Sequence, residues 1–264
     1  MKTDVIIPAR YASTRFPGKP LVALRQPDGS RKSLIRMTWE AACRIKGVDG
    51  VYVATDDERI ADEARRFGAE VVMTAESCEN GTARCADALR NLDGARPDLV
   101  VNLQGDAPLT PPWFVEALIQ RMKDDPSVDV ATPVLRCDRK TYENFLEDRR
   151  NGRVGGTTVV FDEAFKALYF SKEVLPYVDS GTVPEPIPVF HHVGVYAYRP
   201  SALEAYASTP VSTLEVLEGL EQLRFLVNGT PVACVEVDAR GRLFWELNNV
   251  EDVARIEAAL EQGS

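Results

Sequence analysis

The sequence predicts an α/β fold in which a mostly parallel central sheet is flanked by helices, with a small β-rich excursion. Three observations predict it. Short β-branched runs such as Val5-Ile6-Ile7 and Val51-Tyr52-Val53 read as buried central strands. Amphipathic helical patterns alternate with those runs, which implies parallel neighbours joined by right-handed crossovers. The 264 residues suffice for one large domain, and neither an internal repeat nor a low-complexity linker divides them. The whole chain, 1–264, is therefore expected to be one domain, with 138–190 as a β-rich subdomain over the functional site.

The first strand, ending at Pro8-Ala9, runs into a stiff basic loop, Arg10-Tyr11-Ala12-Ser13-Thr14-Arg15-Phe16-Pro17-Gly18-Lys19-Pro20-Leu21. In open α/β sheets, ligands bind beyond the carboxyl ends of strands, which is where this loop falls. Arg10, Arg15 and Lys19 would there surround a polyanion; the alternative is a solvated basic loop. A polar turn spans 25–32, and Ser33 is expected to cap a helix whose apolar side carries Leu34, Ile35, Trp39 and Ala42. Val51–Thr55 is a second strand. The helix from Asp57 has acidic residues in its first turn, and Glu70–Thr74 is a third strand.

Cys78-Glu79-Asn80-Gly81-Thr82-Ala83-Arg84 opens a helix running to Leu92. Its start offers backbone N–H groups and Arg84 to an anion, or is an ordinary N-cap. Asp98–Leu103 is a further buried strand, and Gln104-Gly105-Asp106-Ala107-Pro108 follows as a polar turn. Asp106 either caps that turn or holds Mg²⁺, an ion that shares its shell with substrate phosphates. The cationic loop on a neighbouring strand favours the metal reading.

Pro111–Lys123 is an amphipathic helix and Val128–Val134 a strand. Short strands at 157–161 and 167–171 precede the Pro-rich segment 183–188, and His191–Tyr198 returns as a strand. His191 and His192, adjacent on a strand, point to opposite faces and cannot chelate one metal together. A leucine-striped helix is expected over Thr213–Asn228, a strand over Pro231–Val237 and a last helix over Val250–Leu260.

Hydrophobic residues at 45% and charged residues at 27% are ordinary for a soluble enzyme. A net charge of -9 argues against nucleic acid or an anionic membrane as partner, so the basic loop points to a small anionic ligand. No apolar run approaches the ~20 residues that span a bilayer. Met1-Lys2-Thr3-Asp4 leads straight into the first strand, so no signal peptide is expected. The five cysteines form no CxxC pair and read as reduced thiols of a cytoplasmic protein; Cys78 has no histidine near it in sequence to make it a nucleophile. The first strand is not followed by G-x-G-x-x-G, which removes the usual dinucleotide fingerprint.

These motifs together resemble the sugar-activating cytidylyltransferases, most closely those for 3-deoxy-manno-octulosonate (Kdo). The match is nearly unbroken over Ile6–Leu21 and strong at Gln104-Gly105-Asp106, and it extends to the last helix. The resemblance implies a nucleotide-diphospho-sugar transferase-like fold and a Mg²⁺-dependent transfer of CMP from CTP to an anionic acceptor, releasing pyrophosphate. It implies nucleotide contacts from Ala9, Arg10, Arg15, Lys19, Asn80, Gly81, Thr82, Arg84 and Gln104. Arg10, Lys19 and Asp106 would be catalytic, and Asp106 and Asn248 would hold the metal. Lys172, His192, Tyr196, Glu221 and Gln222 would bind the acceptor, and the protein would be a homodimer.

Several positions depart from the family pattern. Asn80 replaces a serine, Ala107 a glutamate, Lys172 an arginine, Thr158 a lysine and Asn248 an aspartate; Trp245 is also unusual in its segment. Lysine is a point charge without arginine's two-pronged grip on a carboxylate. Kdo is the default acceptor, and the alternatives are amino-Kdo, another 2-keto acid sugar, a phosphonate, or a non-catalytic role in nucleotide binding.

Overall fold

A computed structural model gives the fold. It describes all residues except 13–15, 155, 180, 243–246, 248, 251 and 262–264. The chain begins with β1 (Thr3–Ala9), buried along its whole length, and a single 3-10 turn over Lys19–Leu21. A hairpin of β2 (Ala23–Arg25) and β3 (Arg31–Ser33) leads into α1 (Leu34–Ala42). Ser33 does not cap α1 with its side chain; its hydroxyl donates to Glu63 Oε1 at 2.8 Å instead.

The next crossovers are β4 (Gly50–Thr55), α2 (Glu58–Arg66), β5 (Glu70–Met73), α3 (Gly81–Asn91), β6 (Leu99–Leu103), α4 (Pro112–Asp124) and β7 (Val130–Arg136). Asp57 caps α2 and Asn80 caps α3, each accepting a first-turn N–H. Proline at the first position starts α4, where a missing N–H costs nothing. The sequence reading missed α5 (Arg139–Arg150), which Asp138 caps; β8 (Thr158–Phe161) and β9 (Ala167–Ser171) follow it.

The expected strand over 191–198 is broken into β10 (Phe190–His192) and β11 (Val195–Tyr198). Against β7 the register passes from His192↔Val134 to Ala197↔Ala131, two residues out of step, so Val193 and Gly194 form a bulge. The Thr132 hydroxyl fills that gap, within 3.2 Å of the Val193 carbonyl and 2.8 Å of the Val195 carbonyl.

A helix absent from the sequence reading, α6 (Pro200–Ser208), comes next. The expected helix over 213–228 is two short ones, α7 (Thr213–Glu218) and α8 (Leu223–Val227). Gly219, at φ 61°, ends α7 in the left-handed conformation that glycine takes most easily. The chain closes with β12 (Val232–Glu236) and α9 (Asp252–Glu261).

Ten strands form one mixed sheet in the order β5-β4-β1-β6-β11-β7-β10-β8-β9, with β12 on β7. β5, β4, β1 and β6 are parallel, as expected. β11 inserts antiparallel between β6 and β7, which the alternation of strands and helices did not predict. Successive residues of β1 serve opposite faces: Val5 and Ile7 pack with α1, α2 and α4, while Ile6 packs with α3 and α6.

At the carboxyl edge the two central strands approach closely. A Cβ on Gly105 would lie 2.8 Å from the Pro8 carbonyl oxygen, and Thr38 donates to the Gly105 carbonyl at 3.2 Å. Gly105→Ala is expected to cost about 1–3 kcal/mol through overpacking. Thermal unfolding measures it, and an unchanged midpoint would show that the strand ends separate freely.

Candidate active site

A cleft of about 2570 Å³ opens along the carboxyl ends of β1 and β6 and continues over β10, β11 and the α7–α8 connection. Drug-sized ligand pockets are roughly 300–1,000 Å³, so this cleft is larger than one such ligand needs. Its walls combine the basic loop, the start of α3, the Gln104-Gly105-Asp106 turn and the histidine strand.

At one end the basic loop is closed by the Gly18 N–H donating to the Tyr11 carbonyl at 3.0 Å. The Arg59 guanidinium lies over the Tyr11 ring at 3.3 Å, pinning the loop's base against α2. Lys19 follows, and its Nζ meets Asp106 Oδ2 at 2.5 Å, both side chains partly exposed to the cleft. The two groups expected to engage a polyphosphate and a cation thus face each other. Ala9 lines the cleft beside them. Arg10 is exposed at the mouth, its Nη1 3.4 Å from the Glu79 carbonyl. Arg15 lies outside the described residues.

The middle of the cleft is the start of α3. Asn80 makes the ordinary N-cap, Oδ1 accepting from the Ala83 N–H at 2.8 Å. Gly81 lies against Gln104, whose Nε2 would be 2.6 Å from a Cβ there. Thr82 shares a 2.8 Å hydrogen bond with the Tyr198 hydroxyl and donates its backbone N–H to Glu221 Oε2 at 3.2 Å. Gln104 Nε2 reaches the other Glu221 oxygen at 3.4 Å. Arg84 borders the cleft, yet its guanidinium is held by Asp56 at 3.0 Å and Thr74 at 2.5 Å and is 2% exposed. Cys78 lines the cleft, with burial pushing its thiol up, so it is not an activated nucleophile.

The far end gathers Lys172, His192, Tyr196, Glu221 and Gln222, which come from three stretches of the sequence. Lys172 follows the last residue of β9, with Nζ above Gly219, where a Cβ would lie 2.9 Å away. Glu218, which the sequence reading did not single out, holds that corner: it accepts from the Lys172 N–H at 2.9 Å, Ser171 Oγ at 2.8 Å and Tyr169 Oη at 3.2 Å. Thr158 turns away from the cleft, its hydroxyl donating to the Glu173 carbonyl and accepting from the Leu175 N–H. Gln222 is 2% exposed, lines the cleft and has no partner for Nε2. Burial raises the Glu221 carboxyl above its ordinary value, partly offset by its bond from Thr82.

The chain's two histidines sit on opposite faces, as their adjacency required. His191 packs edge-on against Phe145; His192 Nε2 pairs with the Thr132 hydroxyl at 3.0 Å beside Phe170 and Tyr196. Desolvation lowers His191 to about 4 and His192 to about 3, so both rings are neutral near pH 7.

Among the described residues no three His, Cys, Asp or Glu side chains cluster as a metal cage. Asp106 and Asp252 both line the cleft, and Asp252 Oδ2 accepts from the Asn249 N–H at 2.7 Å. Asn248, Glu246 and Trp245 lie outside the described residues. No helix among those described is long and apolar enough to cross a membrane.

Known proteins are similar to this chain in sequence and in fold. The family model for cytidylyltransferases matches residues 5–237. The chain is 42% identical to the 3-deoxy-manno-octulosonate cytidylyltransferase of Maricaulis maris, over 98% of this chain and 97% of that protein. It is 40% identical to the 8-amino-3,8-dideoxy-manno-octulosonate cytidylyltransferase of Shewanella piezotolerans, over 98% and 99%. The solved structure of a CMP:2-keto-3-deoxy-manno-octonic acid synthetase complexed with CTP matches with a TM-score of 0.84 at 32% identity, covering all of both chains.

The neutral histidines give a prediction with a definite sign. Unfolded histidine takes its proton near pH 6.5, whereas the folded rings resist until about pH 4 and 3. Between those limits the unfolded state binds more protons, so stability falls as pH drops below about 6.5, by up to ~1.4 kcal/mol per pH unit for each ring. Urea unfolding from pH 7 to 5 measures the slope, and His192→Gln should remove about half of the histidine share. A slope unaffected by that substitution would show His192 titrating normally.

Proposed function

The chain belongs to the cytidylyltransferase family, and from that premise we propose that it couples CMP from CTP to Kdo. An acceptor oxygen attacks the α-phosphorus of CTP. The new O–P bond forms as the bond to the β-phosphate oxygen breaks, and pyrophosphate leaves with that electron pair while the acceptor hydroxyl loses its proton. Such chemistry depends mainly on positioning and on charge stabilisation.

The observation that carries the proposal is the layout of one continuous cleft. A cation and a carboxylate, Lys19 and Asp106, stand at one end, and a second cation, Lys172, stands at the other beside the unpaired amide of Gln222. Triphosphate and acid sugar are both anionic, and each end offers one of them a positive group. Lys19 and Arg10 would hold the phosphates and neutralise charge as pyrophosphate departs. Lys172 would face the acceptor carboxylate, and the neutral His192, Tyr196 and Gln222 would take its hydroxyls. Ala9, Asn80, Gly81, Thr82 and Gln104 would frame the nucleotide.

The residues also fit Mg²⁺. Asp106 is a hard oxygen donor partly exposed beside the phosphate cation, and Mg²⁺ is an ion that takes waters and substrate phosphates as its other ligands. Asp106 would hold it, with Asn248 contributing an amide oxygen. When bound, the ion would supply charge neutralisation on the phosphates. Active as a homodimer in the cytoplasm, the enzyme would need no partner beyond CTP and the acceptor.

Amino-Kdo is the second acceptor reading, because relatives named for it match about as well as those named for Kdo. A panel of Kdo, 8-amino-Kdo and another 2-keto acid sugar, each with CTP and Mg²⁺ and read by the mass of the CMP conjugate, decides between them. Kdo is expected to give the fastest conjugation; preference for another acid would overturn the acceptor assignment. Lys19→Ala should lower kcat/KM by about 10²–10³-fold with little change in melting temperature. Asp106→Asn should do likewise and shift the Mg²⁺ dependence upward. Unchanged Mg²⁺ dependence would leave Asp106 as a turn cap only.

A further inference from the structure

The acceptor end and the nucleotide end are joined by a buried network that the proposed reaction leaves unused. α7 and α8 form a hairpin whose tip, residues 219–222, carries Glu221 and Gln222. Its two helices are clamped together by Arg224, whose Nε and Nη2 donate to the two Glu215 oxygens at 2.7 Å each, with both side chains under 10% exposed. Ser212 and Glu215 form a capping box that fixes the start of α7.

The same carboxylate reaches the nucleotide side through α6. The Tyr206 hydroxyl donates to Glu215 Oε1 at 3.3 Å and accepts from Asn80 Nδ2 at 2.8 Å. Asn80 Nδ2 also lies 3.4 Å from Glu215 Oε1. The Arg224 guanidinium stacks over the Tyr206 ring at 4.1 Å and approaches Glu79 at 3.6 Å. Glu79 in turn offers its carbonyl to Arg10. A second link joins the tip itself to α3, through Glu221 to the Thr82 N–H and Gln104. The hairpin tip therefore cannot move toward an acceptor without pulling on the residues that frame the nucleotide.

We propose that Tyr206 and the Glu215–Arg224 pair are positioning residues that make CTP and acceptor binding interdependent, each substrate tightening the other. The proposal rests on the cytidylyltransferase reading above. Breaking a buried, two-pronged ion pair leaves charge uncompensated, so Arg224 and Glu215 move together and pass a shift on instead of absorbing it. Thermodynamic linkage makes the effect reciprocal.

Tyr206→Phe is the cleanest probe, because Tyr206 is 2% exposed, lies outside the cleft lining, and loses only the bridging hydroxyl. The KM for CTP is measured at low and at saturating acceptor, and CTP binding is measured by calorimetry with and without acceptor. In the wild type, saturating acceptor should tighten CTP by about fivefold or more, within the usual range of coupling between sites. Tyr206→Phe should bring that ratio close to one while kcat at double saturation changes far less. Arg224→Lys, which keeps charge but not the two-pronged contact, should give an intermediate ratio. A wild-type ratio of one, or a Tyr206→Phe ratio equal to a larger wild-type one, overturns the inference while leaving the reaction assignment standing. Absence of any CMP conjugate from the wild type overturns the reaction assignment, and this inference with it.

Discussion

Parallel neighbours open their carboxyl ends on the same edge of a sheet, and β1 and β6 do so with almost no space between them. Gly105 lies so near Pro8 that a Cβ on it would meet the Pro8 carbonyl, and the loops that follow each strand come into one place there. Lys19 comes from one loop and Asp106 from the other, and they meet although 87 residues separate them. The phosphate end of the cleft is thus a consequence of strand direction, and the small size of Gly105 sets how closely its two halves approach.

The acceptor end has a different origin. It depends on β11 entering the sheet antiparallel and on the two-residue bulge at Val193 and Gly194. That bulge sends β10 on to pair with β8, so Lys172 just after β9, His192 and Tyr196 reach the same cleft. Thr132 stabilises the break by reaching the carbonyl groups that a continuous ladder would have paired.

Polar groups in this cleft are mostly committed to one another. Lys19 faces Asp106, Glu221 bridges Thr82 and Gln104, and Asn80 is shared between its cap and Tyr206. The Nε2 of Gln222 is an exception, buried without a partner. Burying an unpaired amide is unfavourable, so a ligand that accepts its hydrogen bond recovers that cost on binding. Arg84 shows the opposite case: motif resemblance marks it for the nucleotide, whereas Asp56 and Thr74 already hold its charge.

The sequence by itself determined the strand–helix alternation, the buried β1, β4 and β6, the basic loop, the Gln104-Gly105-Asp106 turn and the family. These rest on short-range properties: β-branched runs, capping residues, glycine and proline, and the chemistry of contiguous side chains. The sequence pattern over 213–228 reads as one helix, although Gly219 within it is the local signal for the break that the structure shows. Only the tertiary structure decided that β11 runs antiparallel, that Thr158 turns from the cleft, and that Glu218, Tyr206 and Arg224 brace the site. Each of these depends on partners in other elements, from nine residues away for Arg224 with Glu215 to 126 for Tyr206 with Asn80. A local pattern says which groups a segment carries, whereas packing decides which of them remain free to meet a ligand.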